Sequence, residues 1–308
     1  MKAPRGTSQS EFEGQLKTAQ TVTAADFPAT QGRTLQQVAD TTSASGTQVG
    51  LATSVLVPGS NRVAFGVLDA KNAFVYGKTA VYVAPSPGDK AQGPFPAPAD
   101  SLITEPAFRS RTAASESDPI ASVYAADVPL KRAGRYAVLV ATKTPSGLVG
   151  ASTQIEVKRD TVIPAVGERP PAVETDTLDS ARGDIKSIDT RIPPAPELHE
   201  KSLKNVLGKQ PVALLFATPQ LCQSRVCGPV VDIELEMKAK YGEKMAFIHQ
   251  EVYEDNQVDK GLRQPLLDFD LQTEPWLFTF DRTGRVAARV EGSFGTRAFE
   301  QAIEAALR

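Results

Sequence analysis

From residue 47 the chain breaks into short runs in which apolar and polar positions alternate. The runs are "VGLATSVLV", "NRVAFGVLD", "KTAVYVAP", "ASVYAADV", "GRYAVLVAT" and "STQIEVK", with turn-forming clusters between several of them: "VPGSN" at 57–61, "APSPGD" at 84–89 and "TPSG" at 144–147. A period of two is the strand period, because successive side chains of a strand point to opposite faces. Many closely spaced strands without a helical period predict an antiparallel β-sandwich over residues 46–158. Within it, the proline-rich stretch 86–119 reads as a long loop or an edge extension. Residues 1–45 are rich in Thr, Ser, Ala and Gln; their few apolar groups predict a poorly ordered segment. Residues 159–196 hold six prolines and no clear period, which predicts a linker.

Beyond residue 197 the pattern changes to alternating strands and helices. "LHEKSLKNVLG" reads as a helix closed by Gly208, and "PVALLFAT" as a strand buried on both faces. Val230, Ile233, Met237 and Tyr241 fall on one helical stripe that ends near Gly242. "KMAFIHQEVY" is a second strand, "GLRQPLLDFDL" a short helix, and "WLFTFDRTGRVAARVEG" a hairpin. The last helix carries the stripe Phe299, Ala302, Ile303, Ala306 and Leu307, with Thr296 as its expected N-cap. The fold class is therefore two domains: an all-β antiparallel sandwich, then an α/β domain over 197–308.

Composition narrows the function classes. A formal net charge of −2 offers no basic surface for nucleic acid or an anionic membrane. No apolar run reaches membrane-spanning length; the longest is Val212–Ala217. The start, "MKAPRGTSQSEFEGQL", lacks the apolar stretch of a signal peptide. The expectation is an extracytoplasmic protein, periplasmic or at the cell surface, whose leader is absent from this chain; otherwise it is cytoplasmic.

The chain has two cysteines, Cys222 and Cys227, both at the junction of the first central strand and the next helix. Cys222 lies just ahead of the helix, where unpaired N–H groups favour a thiolate, and Arg225 adds a positive charge nearby. Cys227 is its natural resolving partner. Five positions apart in one regular helix, the two Cα atoms would be roughly 8–9 Å apart, too far for a disulfide, which wants under about 7 Å. Bonding needs either a loop from Cys222 to Cys227, with Pro229 opening the helix, or local opening of a helix that begins near Ser224. A redox pair, a structural disulfide and a metal clip all remain open. His249 is a candidate third ligand with the cysteines, though a lone histidine in an apolar strand is more often a core residue. His199 reads as a surface residue. The carboxylates of "EVYEDNQVD" read as a solvated loop. The expectation is no metal and no cofactor.

The order of elements, the cysteine position and Glu274–Pro275 ahead of the hairpin resemble the thioredoxin-like superfamily over about residues 200–308. That resemblance implies thiol–disulfide oxidoreductase activity through Cys222 and Cys227 on protein thiols or disulfides. It also implies a cis Pro275 and a substrate-binding groove at Glu274, Pro275 and Trp276. The chain departs from that family in its C-x4-C spacing, in Leu221 before the first cysteine, and in the lack of a buried acid in "VALLFA". "TPQLCQSRVCG" is similar to Q-type peroxiredoxins, an alternative implying thiol peroxidase, but Thr273 and Glu274 stand where that family needs an arginine. The other alternative is a non-enzymatic binding or assembly module with a structural disulfide. "DVPLKRAGRYAVLV" resembles the late part of immunoglobulin-like domains, which would make Tyr136 a corner tyrosine. The sequence names no partner for the sandwich.

Overall fold

The computed structural model describes residues 8–43, 46–111, 120–222 and 226–308. The chain divides into two compact units, one formed by residues 1–100 and 121–161, the other by 101–120 and 162–308.

The first unit holds two four-stranded antiparallel sheets. One has the order β1 (Gln48–Leu51), β2 (Gly59–Leu68), β6 (Ser122–Leu130), β5 (Ala99–Ser101). The other runs β4 (Gln92–Pro96), β3 (Thr79–Ala84), β7 (Gly134–Thr144), β8 (Gly147–Val157). Val63, Phe65 and Val67 of β2 alternate inward and meet Val81 and Val83 of β3, Tyr124 and Val128 of β6, and Val138 and Val140 of β7. Each such side chain contributes roughly 1.5–3 kcal/mol on burial. The 144–147 turn forms as the sequence predicts, with Gly147 at φ 121°. Tyr136 donates its hydroxyl to the Arg132 carbonyl at 3.1 Å, four residues back.

β3 is buried along its whole length because its second face is covered too. Ala80, Tyr82 and Ala84 pack with Leu139 and Ala141 of β7 against Phe27, Leu35 and Val38. This corrects the expectation of a poorly ordered N-terminus. Residues 8–43 form helix α1 (Gln9–Gln20), which buries Phe12, Leu16 and Ala19, and helix α2 (Leu35–Ala39). Thr34 caps α2 by accepting from the Gln37 N–H, while the Gln37 side chain accepts from the Thr34 N–H. The rest of the 1–45 expectation lies outside the described residues.

The second unit is built on a mixed sheet of order β10 (Ala246–Gln250), β9 (Val212–Phe216), β11 (Trp276–Phe280), β12 (Val286–Glu291). β9 and β10 run parallel; β11 runs antiparallel to both β9 and β12. The crossover from β9 to β10 is helix α4 (Cys227–Tyr241), preceded by the short α3 (Leu203–Val206). Helix α5 (Gln264–Asp268) leads to β11, and α6 (Thr296–Leu307) closes the chain. This is the order of strands and helices that the sequence predicts over 197–308. Gly295 rather than Thr296 takes the N-cap position of α6, a shift of one residue.

Residues 162–196 are not a linker. Val173, Ile163, Ile188, Asp189, Arg191 and Ala195 are all buried. Arg191 pairs with Asp232 of α4 at 2.9 Å and donates to the carbonyls of Pro193 and Phe108. Asp232 also accepts from the Ser110 N–H at 2.9 Å. Segment 101–111, expected as a sandwich loop, therefore also packs into this unit. Polar pairs organise both stretches, so neither carries the apolar period that marks core in a sequence.

Candidate active site

β9 ends at Phe216, and the chain passes through Ala217 and Thr218 into the cysteine loop. Helix α4 opens at Cys227, with Val226 as its uncapped N-cap residue. The helix begins at Cys227 rather than near Ser224, and Pro229 is its third residue rather than its first. Cys222 is half-buried and Cys227 is 0% exposed; no disulfide joins them. Residues 223–225, including Arg225, lie outside the described residues.

Glu274, at the entry to β11, brings its carboxyl to the cysteines. Its oxygen and the two sulfurs all lie within 4.8 Å of one another. Burial pushes the Glu274 carboxyl up to about 8, helped by the charges of Cys222 and Glu251 and opposed by the Thr218 N–H. One Glu274 oxygen, Oε2, is buried without a hydrogen-bond partner among the described residues. Burial also pushes the Cys227 thiol well above its ordinary value, and Cys222 and Glu274 push in the same direction. The Thr218 backbone opposes this as well. Tyr253 completes the surroundings: burial raises its hydroxyl, followed by Glu274, Cys222 and Cys227.

This arrangement can pass a proton between a carboxyl and a thiol out of water. The sequence shows no acid in β9; Glu274, at the entry to β11, is the acid that meets the sulfurs. Glu274 was singled out for its backbone beside Pro275; its side chain is the part that meets the sulfurs. Glu251 and Tyr253 were missed, because the spacing in "QEVYED" does not show which way each side chain turns.

Pro275 is buried and the Glu274–Pro275 bond is cis, as its position predicts. Trp276 differs from expectation. It is 2% exposed, its ring stacks on Phe278 at 5.7 Å, and its N–H donates to Thr273 Oγ1 at 3.1 Å. It is a core residue and presents no apolar surface to a partner. His249 does not join the cysteines either. Its Nε2 meets the Ala217 carbonyl at 2.9 Å and its Nδ1 faces Asp189. His199, expected at the surface, is 0% exposed.

No protein-family model and no curated protein matches the chain. Among solved structures, it is similar to a putative thiol:disulfide interchange protein DsbE from Chlorobium tepidum: 18% identity, 47% of this chain and 99% of that one, TM-score 0.34. A thioredoxin family thiol:disulfide interchange protein from Chlorobium tepidum TLS is 14% identical over 47% of this chain and all of its own, with TM-score 0.32. The MTB dsbF structure, in mixed oxidized and reduced forms, is 18% identical over 44% of this chain and 98% of its own, with TM-score 0.29.

Proposed function

We propose that the protein is a thiol–disulfide oxidoreductase acting on protein thiols or disulfides. Cys222 is the attacking sulfur, Cys227 the resolving sulfur, and Glu274 the group that moves the proton between them. The observation that carries this reading is the meeting of two thiols with a carboxyl that holds its proton near neutral pH.

Cys222, the more accessible of the two, attacks a substrate disulfide as the thiolate. The first substrate sulfur leaves and takes up the proton of Glu274, leaving a mixed disulfide and an ionised Glu274. Ionised Glu274 then takes the proton of Cys227. The Cys227 thiolate attacks the Cys222 sulfur, the second substrate sulfur leaves, and Glu274 returns the proton to it. The net result is one substrate disulfide reduced to two thiols and one Cys222–Cys227 disulfide formed. Every step reverses when the protein disulfide is the stronger oxidant. The backbone beside Glu274 and Pro275 forms the near wall of the substrate site. A peroxidase is the weaker reading, since among the described residues a carboxyl rather than a cation faces the sulfurs.

We read the sandwich as immunoglobulin-like on the strength of Tyr136, and the protein as extracytoplasmic. No helix among the described residues is long and apolar enough to cross a membrane.

Equilibration in glutathione buffers, followed by alkylation and intact-mass measurement, tests the redox reading. A Cys222–Cys227 bond that titrates between about −270 and −120 mV is the expected result. A bond surviving below about −300 mV, or no bond at any potential, overturns it and leaves a binding module.

A further inference from the structure

The chain has two histidines, and both are wholly buried in the second unit facing one buried carboxylate. His199 Nε2 lies 3.6 Å from Asp189 Oδ2, and His249 Nδ1 lies 3.9 Å from Asp189 Oδ1. The two rings meet edge to face at 5.2 Å, and one donor atom from each of the three residues lies within 4.8 Å of the other two. We propose that Asp189, His199 and His249 form a buried site for a divalent transition-metal ion, with zinc the best match to two imidazoles and one carboxylate.

The separations are the first argument. At 3.6 and 3.9 Å they are too long for hydrogen bonds, which close to about 3.2 Å or less. Ligand atoms set tetrahedrally at about 2.0–2.1 Å from zinc sit about 3.3–3.4 Å from one another. Seating the ion closes the two histidine–aspartate pairs by about 0.2–0.6 Å and draws together imidazole nitrogens that lie within 4.8 Å of one another.

The unpartnered atoms are the second argument. Both nitrogens of His199 and Nδ1 of His249 are buried and have no hydrogen-bond partner among the described residues. Buried polar atoms are normally paired, because they have lost water. Here two of them, His199 Nε2 and His249 Nδ1, face one carboxylate.

The outer contacts match those of a ligand set. The bond from His249 Nε2 to the Ala217 carbonyl places the proton on Nε2 and turns the Nδ1 lone pair toward Asp189. Asp189 Oδ1 accepts from the Arg191 N–H at 2.8 Å, and Oδ2 from the Ala195 N–H at 2.7 Å. Both oxygens are thus held in place by backbone. Glu234 is also fully buried, both its oxygens are unpartnered, and it feels the charge of Asp189. A cation among these groups offsets charge that the interior otherwise leaves bare.

The donor set selects the ion. Imidazole nitrogen suits zinc, cobalt and nickel; calcium and magnesium prefer oxygen alone. The burial of all three ligands means the ion enters as the unit folds. Its role is to fasten the 162–202 segment to β10.

The test uses the full chain carrying C222S and C227S, so that no thiolate can hold the metal. The protein is unfolded with a chelator, refolded with zinc sulfate, freed of excess metal and assayed for zinc. One zinc per chain is expected, together with a shift of both imidazole resonances in a long-range 1H–15N spectrum. Because the chain has only two histidines, that spectrum reads the site without a histidine variant. Refolding with cobalt chloride should give visible d–d bands of low-coordinate cobalt bound by nitrogen and oxygen. H199Q and D189N, checked for folding by circular dichroism, should each lower the retained zinc at least tenfold. Should they fail to fold, the imidazole spectrum of the histidine-intact chain decides. Zinc retention near zero, or a shift of one imidazole or neither, overturns the proposal.

Discussion

The Glu274 carboxyl and the Cys227 sulfur lie within 4.8 Å of each other, with the Cys222 sulfur beside both. At that separation a negative charge on one disfavours a negative charge on the other. They act as a single proton-holding unit rather than as two independent acids. Glu274→Gln keeps the shape and removes the acid. Attack by Cys222 should survive, while resolution by Cys227 slows by about 10²-fold or more. Rapid acid quenching followed by mass analysis should show the mixed disulfide accumulating. Unchanged resolution between pH 6 and 9 would remove Glu274 from the chemistry.

The two thiols should differ in reactivity because they differ in exposure. Cys222 is half-buried, whereas Cys227 is 0% exposed and its thiol is pushed well up. Iodoacetamide at pH 7 should label Cys222 first, by at least tenfold. Cys227→Ser should trap the substrate on Cys222, and Cys222→Ser should abolish turnover. Peptide mapping of the alkylated protein checks the order.

Stability should fall as pH rises across the neutral range. The Glu274 carboxyl titrates near 8 in the folded protein, against 4.5 for its ordinary value. The folded state therefore binds more protons than the unfolded state between those limits. The slope of stability with pH is negative there. Glu274→Gln should flatten that slope and gain about 1–3 kcal/mol at pH 9, allowing for partial solvent access. Urea denaturation of both proteins at pH 5, 7 and 9 measures it. Parallel curves would refute the burial argument.

Arg191 and Asp232 are 5% and 1% exposed, so removing one partner leaves the other charged and dry. Arg191→Met should cost about 3–5 kcal/mol, and the double change with Asp232→Leu should recover much of it. A neutral Arg191→Met would mean that residues 162–196 behave as a linker after all. For the same reason a fragment of residues 197–308 should fail to fold, because it lacks Val173, Ile188 and Ala195. Circular dichroism of that fragment checks this.

The parts legible in the sequence were those with an apolar period. "VALLFA" is apolar throughout because β9 is central and covered on both faces. Val230, Ile233 and Met237 mark the buried stripe of α4, and the hairpin from Trp276 shows in its turn residues. The segments misread were those whose core is polar or sparse. Arg191 and Asp189 look like surface residues in a proline-rich stretch until their partners, 41 residues or more away for Arg191–Asp232, are in place. Phe12, Leu16 and Ala19 form a helical stripe, but three apolar residues amid Thr, Ser and Gln do not announce one. The acid of the site was visible as a letter beside Pro275. Its direction was not, since that is set by how β11 enters the sheet.

Ser110 and Asp232 are joined by a hydrogen bond although 122 positions separate them. At a synthesis rate of about 5–20 residues per second, Ser110 is made on the order of ten seconds before its partner. The strands of the first unit are complete once residue 161 has been added, so that unit can close during synthesis. Segment 101–111 must wait through this period without its packing partners. A contact of such long sequence separation forms late and slowly in folding. The second unit, and the cysteine site within it, therefore matures only after Asp232 and the strands that follow it have been made.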